Sequence, residues 1–223
     1  MPIGVNCFIL VAMKDLSPST RRKTGRPLSF DREAALEQAM LLFWRHGYES
    51  TSLADLTAAM GVTPPSIYAA FGDKKQLFLE SVRRYLAGPV TAQEMIDSAD
   101  TARGAAWTLL EQSAIAFTGD TTPPGCLLAT GAITCSAGAQ DVQLELARMR
   151  GAIEDSLRGK IVRAVESGEM SRQTDPDALA GLVMAVIQGL STLARDGASR
   201  DKLSGVARAA MLAWPPDPHA QRV

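Results

Sequence analysis

Residues 52–72 constrain the fold more than any other stretch of the chain. Leu53, Leu56 and Met60 lie on one side of a short helix that Thr51 or Ser52 can cap, and Gly61-Val62-Thr63 then supplies a tight turn. Thr63 caps a second short helix whose first turn carries Pro64 and Pro65, where a missing N–H costs little. Leu56, Val62 and Ile67 can pack on the facing sides, while Thr63, Pro64, Pro65, Ser66 and Ala69 keep the outer side small or polar. A compact helix-turn-helix with such an outer face is built to approach base edges in a DNA groove.

The flanks are helical as well. Leu36, Ala39, Met40 and Phe43 fall at i, i+3, i+4 and i+7 on one helix face, with Ser29 or Asp31 as cap and Gly47 where a left-handed end belongs. A fourth helix starts at Asp73 or Lys74 and runs to about Leu86, and Gly88-Pro89 marks a boundary. Beyond it the pattern predicts helices near 92–98, 101–117, 126–136, 141–167, 175–196 and 199–213. Ala and Leu recur, while β-branched and aromatic residues form no alternating runs. The expected fold is all-α, about nine to ten helices: a basic arm over 1–29, a helix-turn-helix domain over 30–87 and a second helical domain over 88–223.

The stretch Phe43-x-x-x-Gly47-Tyr48-x-x-Thr51-Ser52-Leu53-x-Asp55-Leu56, continued by Gly61-Val62-Thr63-x-x-Ser66-Ile67-Tyr68-x-x-Phe71-Gly72-Asp73-Lys74-x-x-Leu77-Phe78, resembles the N-terminal pattern of the tetracycline-repressor (TetR) family in order and spacing. The resemblance covers about residues 30–80; the rest is similar to the family in length and helical content alone. It implies phosphate contacts from Thr51 and Ser52 at a helix N-terminus, where free N–H groups and the dipole favour anions. It further implies a phosphate bond from the Tyr68 hydroxyl and a clamp from Lys74, with Thr63 and Ser66 as the hydroxyls nearest a base. Ala70 departs from the His common at that place, so one backbone contact of the family is missing.

Charge is divided unevenly. Residues 1–87 hold 11 Lys and Arg against 8 Asp and Glu, whereas residues 88–223 hold 12 against 16. A basic front and an acidic back fit a chain whose front meets phosphate. Between Thr63 and Phe71 there is no Arg, Lys, Asn or Gln, the side chains that read guanine or adenine by paired hydrogen bonds. Pro65 and Ala69 are therefore expected against thymine methyls, and Arg21, Arg22, Lys23 and Arg26 along the backbone or minor groove.

In the second domain only Glu111 and Asp120 are charged between Gly104 and Gln140. The family resemblance places an effector chamber here, and the apolar composition suits a small, neutral or greasy molecule. Candidate contacts are Trp107, Leu110, Phe117, Cys126, Leu127, Thr130, Met149, Ile153, Met184 and Gln188. Each has the plainer reading of core filling. Cys126 is expected in the first turn of a helix, where a thiol can be activated, but the preferred reading is a small structural hydrophobe, with the reactive thiol as the alternative. Cys135, nine residues on, would sit out of phase on that same helix. Leu182, Val186, Gly189, Leu190 and Leu193, with Leu203, Val206, Ala210 and Met211, form the expected homodimer face. Two-fold pairing would set two reading helices one DNA turn apart on a near-palindromic operator.

Cys7, Cys126 and Cys135 show no CxxC spacing, and His46 and His219 are remote from each other. No metal, cofactor or disulfide framework is expected, and a reducing cytoplasm is the simplest compartment. The apolar runs Val5 to Met13 and Ala178 to Ala194 are short of a membrane span, so no membrane is expected; Met13 is an alternative start. The leading expectation is a repressor released by a small apolar effector. The alternatives are a redox or electrophile sensor acting through Cys126 and an architectural DNA binder. An enzyme is disfavoured because no nucleophile–base set or phosphate loop stands out.

Overall fold

The computed structural model describes residues 30–215, and the basic-arm residues Arg21, Arg22, Lys23 and Arg26 lie outside them, as do Met13 and the C-terminal tail. Among the described residues every regular element is helical. Helix α1 (Arg32–Ser50) starts where the Asp31 carboxylate accepts from the N–H groups of Glu33 and Ala34. It buries Ala35, Leu36, Ala39 and Phe43, the stripe its spacing predicts, together with Trp44. Gly47 interrupts it at φ 78°, ψ 173°, a conformation that only glycine adopts readily.

Helix α2 (Leu53–Met60) opens with a reciprocal cap between Ser52 and Asp55 and ends at left-handed Gly61. Helix α3 (Pro64–Phe71) carries Pro at its first two positions, and α4 (Lys74–Leu86) is capped by Asp73 on the Gln76 N–H. Buried Leu56, Met60, Ile67, Phe71, Leu77 and Phe78 draw α1–α4 around one apolar centre. Burying a side chain of that size contributes about 1.5–3 kcal/mol.

The second half packs α5 (Ala92–Ser98), α6 (Ala102–Ala116), α8 (Gln140–Ser167), α9 (Pro176–Arg195) and α10 (Arg200–Ala210) against one another, with α6 touching all four others. Lys160 donates to the carbonyls of Ile96 and Ala99 and so closes the end of α5. The continuous helix expected over 126–136 is absent. A single turn, α7 (Leu127–Thr130), is followed by irregular chain and a 3₁₀ turn at Ala137–Ala139. Its end has a tertiary cause: the Gly131 carbonyl accepts from the Tyr48 N–H at 2.7 Å, in the other half of the molecule. A side chain at Gly131 would also stand 2.6 Å from the Leu127 carbonyl and 3.2 Å from the Phe78 ring.

Candidate nucleic-acid interface and the chamber behind it

Helix α3 buries Ile67 and Phe71 and leaves Thr63, Pro64, Pro65, Tyr68 and Ala69 exposed, with Ser66 half-buried. Tyr68 is 55% exposed, which removes the reading of it as a core aromatic. The hydroxyls of Thr63 and Ser66 bond each other at 2.9 Å, so one donor of the pair is already engaged. Thr63 makes no side-chain cap, contrary to expectation, because Ser66 holds its hydroxyl. Arg32 fixes the far end of α3: it chelates Glu80 at 2.7 and 2.8 Å, reaches the Ala70 carbonyl and lies 4.4 Å over the Phe71 ring.

Lys74 is the first residue of α4, its ammonium 4.5 Å from the Tyr48 ring centre. Burial lowers its pKa, and Glu49 opposes that in part. Ser52 is exposed at the N-terminus of α2, both its N–H and its hydroxyl turned to Asp55. Thr51 requires a correction. It is 1% exposed, and its hydroxyl donates to the Gly47 carbonyl at 2.7 Å, so it closes the α1 kink instead of facing phosphate.

This interface is bonded to the second half through α7 and its surroundings. Besides Tyr48 to Gly131, the Trp44 indole N–H donates to the Gly125 carbonyl at 3.1 Å. Glu49 accepts from the Ser136 N–H and hydroxyl, which lowers its carboxyl pKa. Arg195, at the end of α9, donates to the Trp44 and Arg45 carbonyls at 3.0 and 2.8 Å. Lys75 pairs with Asp141 across the same boundary. Sequence reading missed this bracket, because no local pattern reveals which carbonyls a distant arginine will serve.

Behind α7 lies a cavity of about 170 Å³ among α4, α5, α6, α8 and α9. Of the expected contacts, Phe117, Cys126, Ile153, Met184 and Gln188 line it; Trp107, Leu110, Leu127, Thr130 and Met149 do not. Leu110 and Leu127 fill the core instead, at 1% and 0% exposure. Arg150, which the sequence reading did not consider, also lines the cavity, because α8 brings it from outside the uncharged stretch.

Cys126 stands at the cap position of α7, not inside a long helix, and Cys135 lies in the following loop. The Cys126 N–H donates to the Ser191 hydroxyl, and the Tyr85 hydroxyl donates to its sulfur at 3.3 Å. Burial pushes the Cys126 thiol pKa up, opposite to the activation a helix start can give and in keeping with the preferred reading as a structural hydrophobe; Cys135 is raised too, by burial and then by Glu49. Iodoacetamide at pH 7.5 should therefore leave Cys126 unmodified in the folded protein and label it after denaturation. Peptide mass spectrometry checks this, and full labelling of the folded chain would contradict it.

On the outer side, Leu190, Leu203 and Met211 are buried within the protomer and are unavailable to a partner, a correction to the expected dimer face. Leu182, Val186, Leu193, Val206 and Ala210 are half-buried, Gly189 is exposed, and Leu212 is 85% exposed. The most apolar 18-residue window of α9 has a mean hydropathy of 1.5, yet only 33% of it is buried. An apolar helix packed on one side and left open on the other is what a helix-pairing surface looks like.

Residues 35–81 match the family described as bacterial regulatory proteins, tetR family, and residues 107–210 match the tetracyclin repressor-like C-terminal domain. The chain is 35% identical over 204 residues to the HTH-type transcriptional repressor ComR of Escherichia coli K12, covering 90% of this chain and 97% of that protein. It is 27% identical over 187 residues to the repressor BdcR of the same organism, covering 83% of this chain and 90% of that one. Among solved structures, a cysteine-substituted form of the TetR family regulator CifR, complexed with 26-bp double-strand operator DNA, superposes with a TM-score of 0.81. It is 39% identical and covers 86% of this chain and 100% of its own.

Proposed function

The chain belongs to the TetR family of bacterial regulatory proteins, and on that premise we propose how this DNA-binding transcriptional repressor is built to work. Residues 30–87 read the operator and residues 88–223 sense an effector and pair two copies, with the arm over 1–29 following the DNA backbone. The protein acts by binding, not by catalysis, and its place is the cytoplasm, where its DNA is. Pro65, Ala69, Thr63 and Ser66 face base edges, and Ser52, Tyr68 and Lys74 hold phosphates. The half-exposed faces of α9 and α10 join two copies.

One observation carries the regulatory part of this reading: the turn that walls the chamber is hydrogen-bonded to the last turn of α1, at the joint with α2, through Gly131 and Tyr48. An occupant that repacks α7 shifts that joint, and with it the separation of the two reading helices. Selection of bound DNA from a random pool, with light scattering of the complex, tests the reading. The expected result is an inverted repeat with half-sites about 34–36 Å apart, bound by two protomers. Recovery of sequences without symmetry, or of a monomer on the DNA, would reject it.

A further inference from the structure

The chamber holds a cation without a counter-charge. Arg150 leaves α8 and donates one hydrogen bond, at 2.8 Å, to the Leu128 carbonyl. Among the described residues no carboxylate oxygen lies within 4.0 Å of its guanidinium. Burial acts against its charge. A guanidinium stays protonated in a protein and offers five donors in a flat fork, so most of this one's capacity is unspent. The side chain is half-buried, so its free donors meet water, and an anion seated against the apolar wall would exchange that water for a charge-assisted pair.

The rest of the wall sets what carries the anion. Leu86, Leu109, Ile153 and Met184 give the space mostly hydrocarbon, with the rings of Tyr85 and Phe117 and the neutral polar side chains of Gln112, Ser113 and Gln188 beside them. At about 170 Å³ the cavity is close in size to one of about 150 Å³ known to take up benzene in another protein. We propose that the effector is a small organic carboxylate about one ring in size, its carboxylate on the Arg150 fork and its hydrocarbon against Leu109, Phe117 and Met184. This rests on the chamber being the effector site. It also supplies the lever: Arg150 holds the Leu128 carbonyl, in the same turn that leads to Gly131 and the DNA-reading half. A carboxylate competing for that guanidinium loosens α7 where the two halves are joined.

Benzoate, benzamide and benzylamine, alike in size but anionic, neutral and cationic, serve as probes on the full-length protein in calorimetric titration and thermal shift. Benzoate should bind roughly tenfold or more tighter than benzamide, in keeping with a hydrogen bond to a charged group, and benzylamine should not bind. Arg150→Met should reduce benzoate to the level of benzamide while benzamide binding persists, which shows that the chamber still folds. Arg150→Lys should fall between the two. Benzamide matching benzoate on the parent, or undiminished benzoate binding by Arg150→Met, overturns the charge assignment and leaves the chamber as an effector site. Failure of all three rings to bind overturns the chamber reading, and this inference with it.

Discussion

Replacing Tyr68 and Lys74 together by alanine is expected to weaken binding to the selected operator by about a hundredfold or more, with helical content unchanged. Each of the two offers a donor to a phosphate, and a hydrogen bond to a charged group contributes about 1.5–3 kcal/mol. Two such bonds per half-site place the loss well beyond measurement error. The salt dependence discriminates a phosphate contact from general damage. Losing one lysine–phosphate contact in each of two protomers should flatten the slope of log affinity against log salt by about 2, at roughly 0.9 per contact. Folding should be nearly unaffected, because Tyr68 is 55% exposed and packs no core. Lys74 gives up only its position over the Tyr48 ring, a contact of about 0.5–1 kcal/mol at an exposed site, or about 1–4 °C in Tm for a chain of this size. Fluorescence anisotropy across a salt series, beside circular dichroism melting, provides both readouts. Parental affinity with a parental slope would remove these two residues from the interface.

The reading half was legible because its signals are local. Asp31, Ser52 with Asp55, Gly61 and Asp73 each begin or end a helix through bonds to their own neighbours, Pro64 and Pro65 start one through their fixed backbone, and α2, α3 and α4 stand within about a residue or two of expectation, while α1 continues past the Gly47 kink to Ser50. Where a distant partner competes, the pattern misleads. Thr51 looks like a helix-start hydroxyl but is captured by the Gly47 carbonyl, which the kink turns toward it. Residues 126–136 look helical, yet the Gly131 carbonyl goes to Tyr48. Leu190, Leu203 and Met211 are apolar on helices with two apolar sides, and periodicity does not say which side meets the protomer's own core. Arg150 was invisible for a related reason: a chamber is assembled across six helices, and its one charge comes from a helix that carries many charges with nothing local to single out this one.

That dependence on the join between halves leads to the second large effect, at Gly47. Its φ of 78° with ψ of 173° is a combination essentially restricted to glycine, and forcing another residue there costs of order 1–3 kcal/mol. An added methyl would also lie 3.2 Å from the Gly131 oxygen, which receives the Tyr48 N–H, so the strain falls on the bond that ties the halves together. Weakening that bond adds up to about 1 kcal/mol. Gly47→Ala should therefore lower the Tm by about 2–16 °C, at roughly 2–4 °C per kcal/mol for a chain of this length. Gly151 provides the opposite case within the same molecule. It sits inside α8 with ordinary helical geometry, and an added methyl meets nothing within 4 Å. Gly151→Ala should raise the Tm by about 1–4 °C, because alanine gains about 0.5–1 kcal/mol over glycine in a helix interior. Melting the two variants side by side separates backbone geometry from the mere addition of a methyl group. Equal shifts in the same direction would mean that the Gly47 kink is incidental and that the α1–α2 joint owes nothing to the second half of the chain.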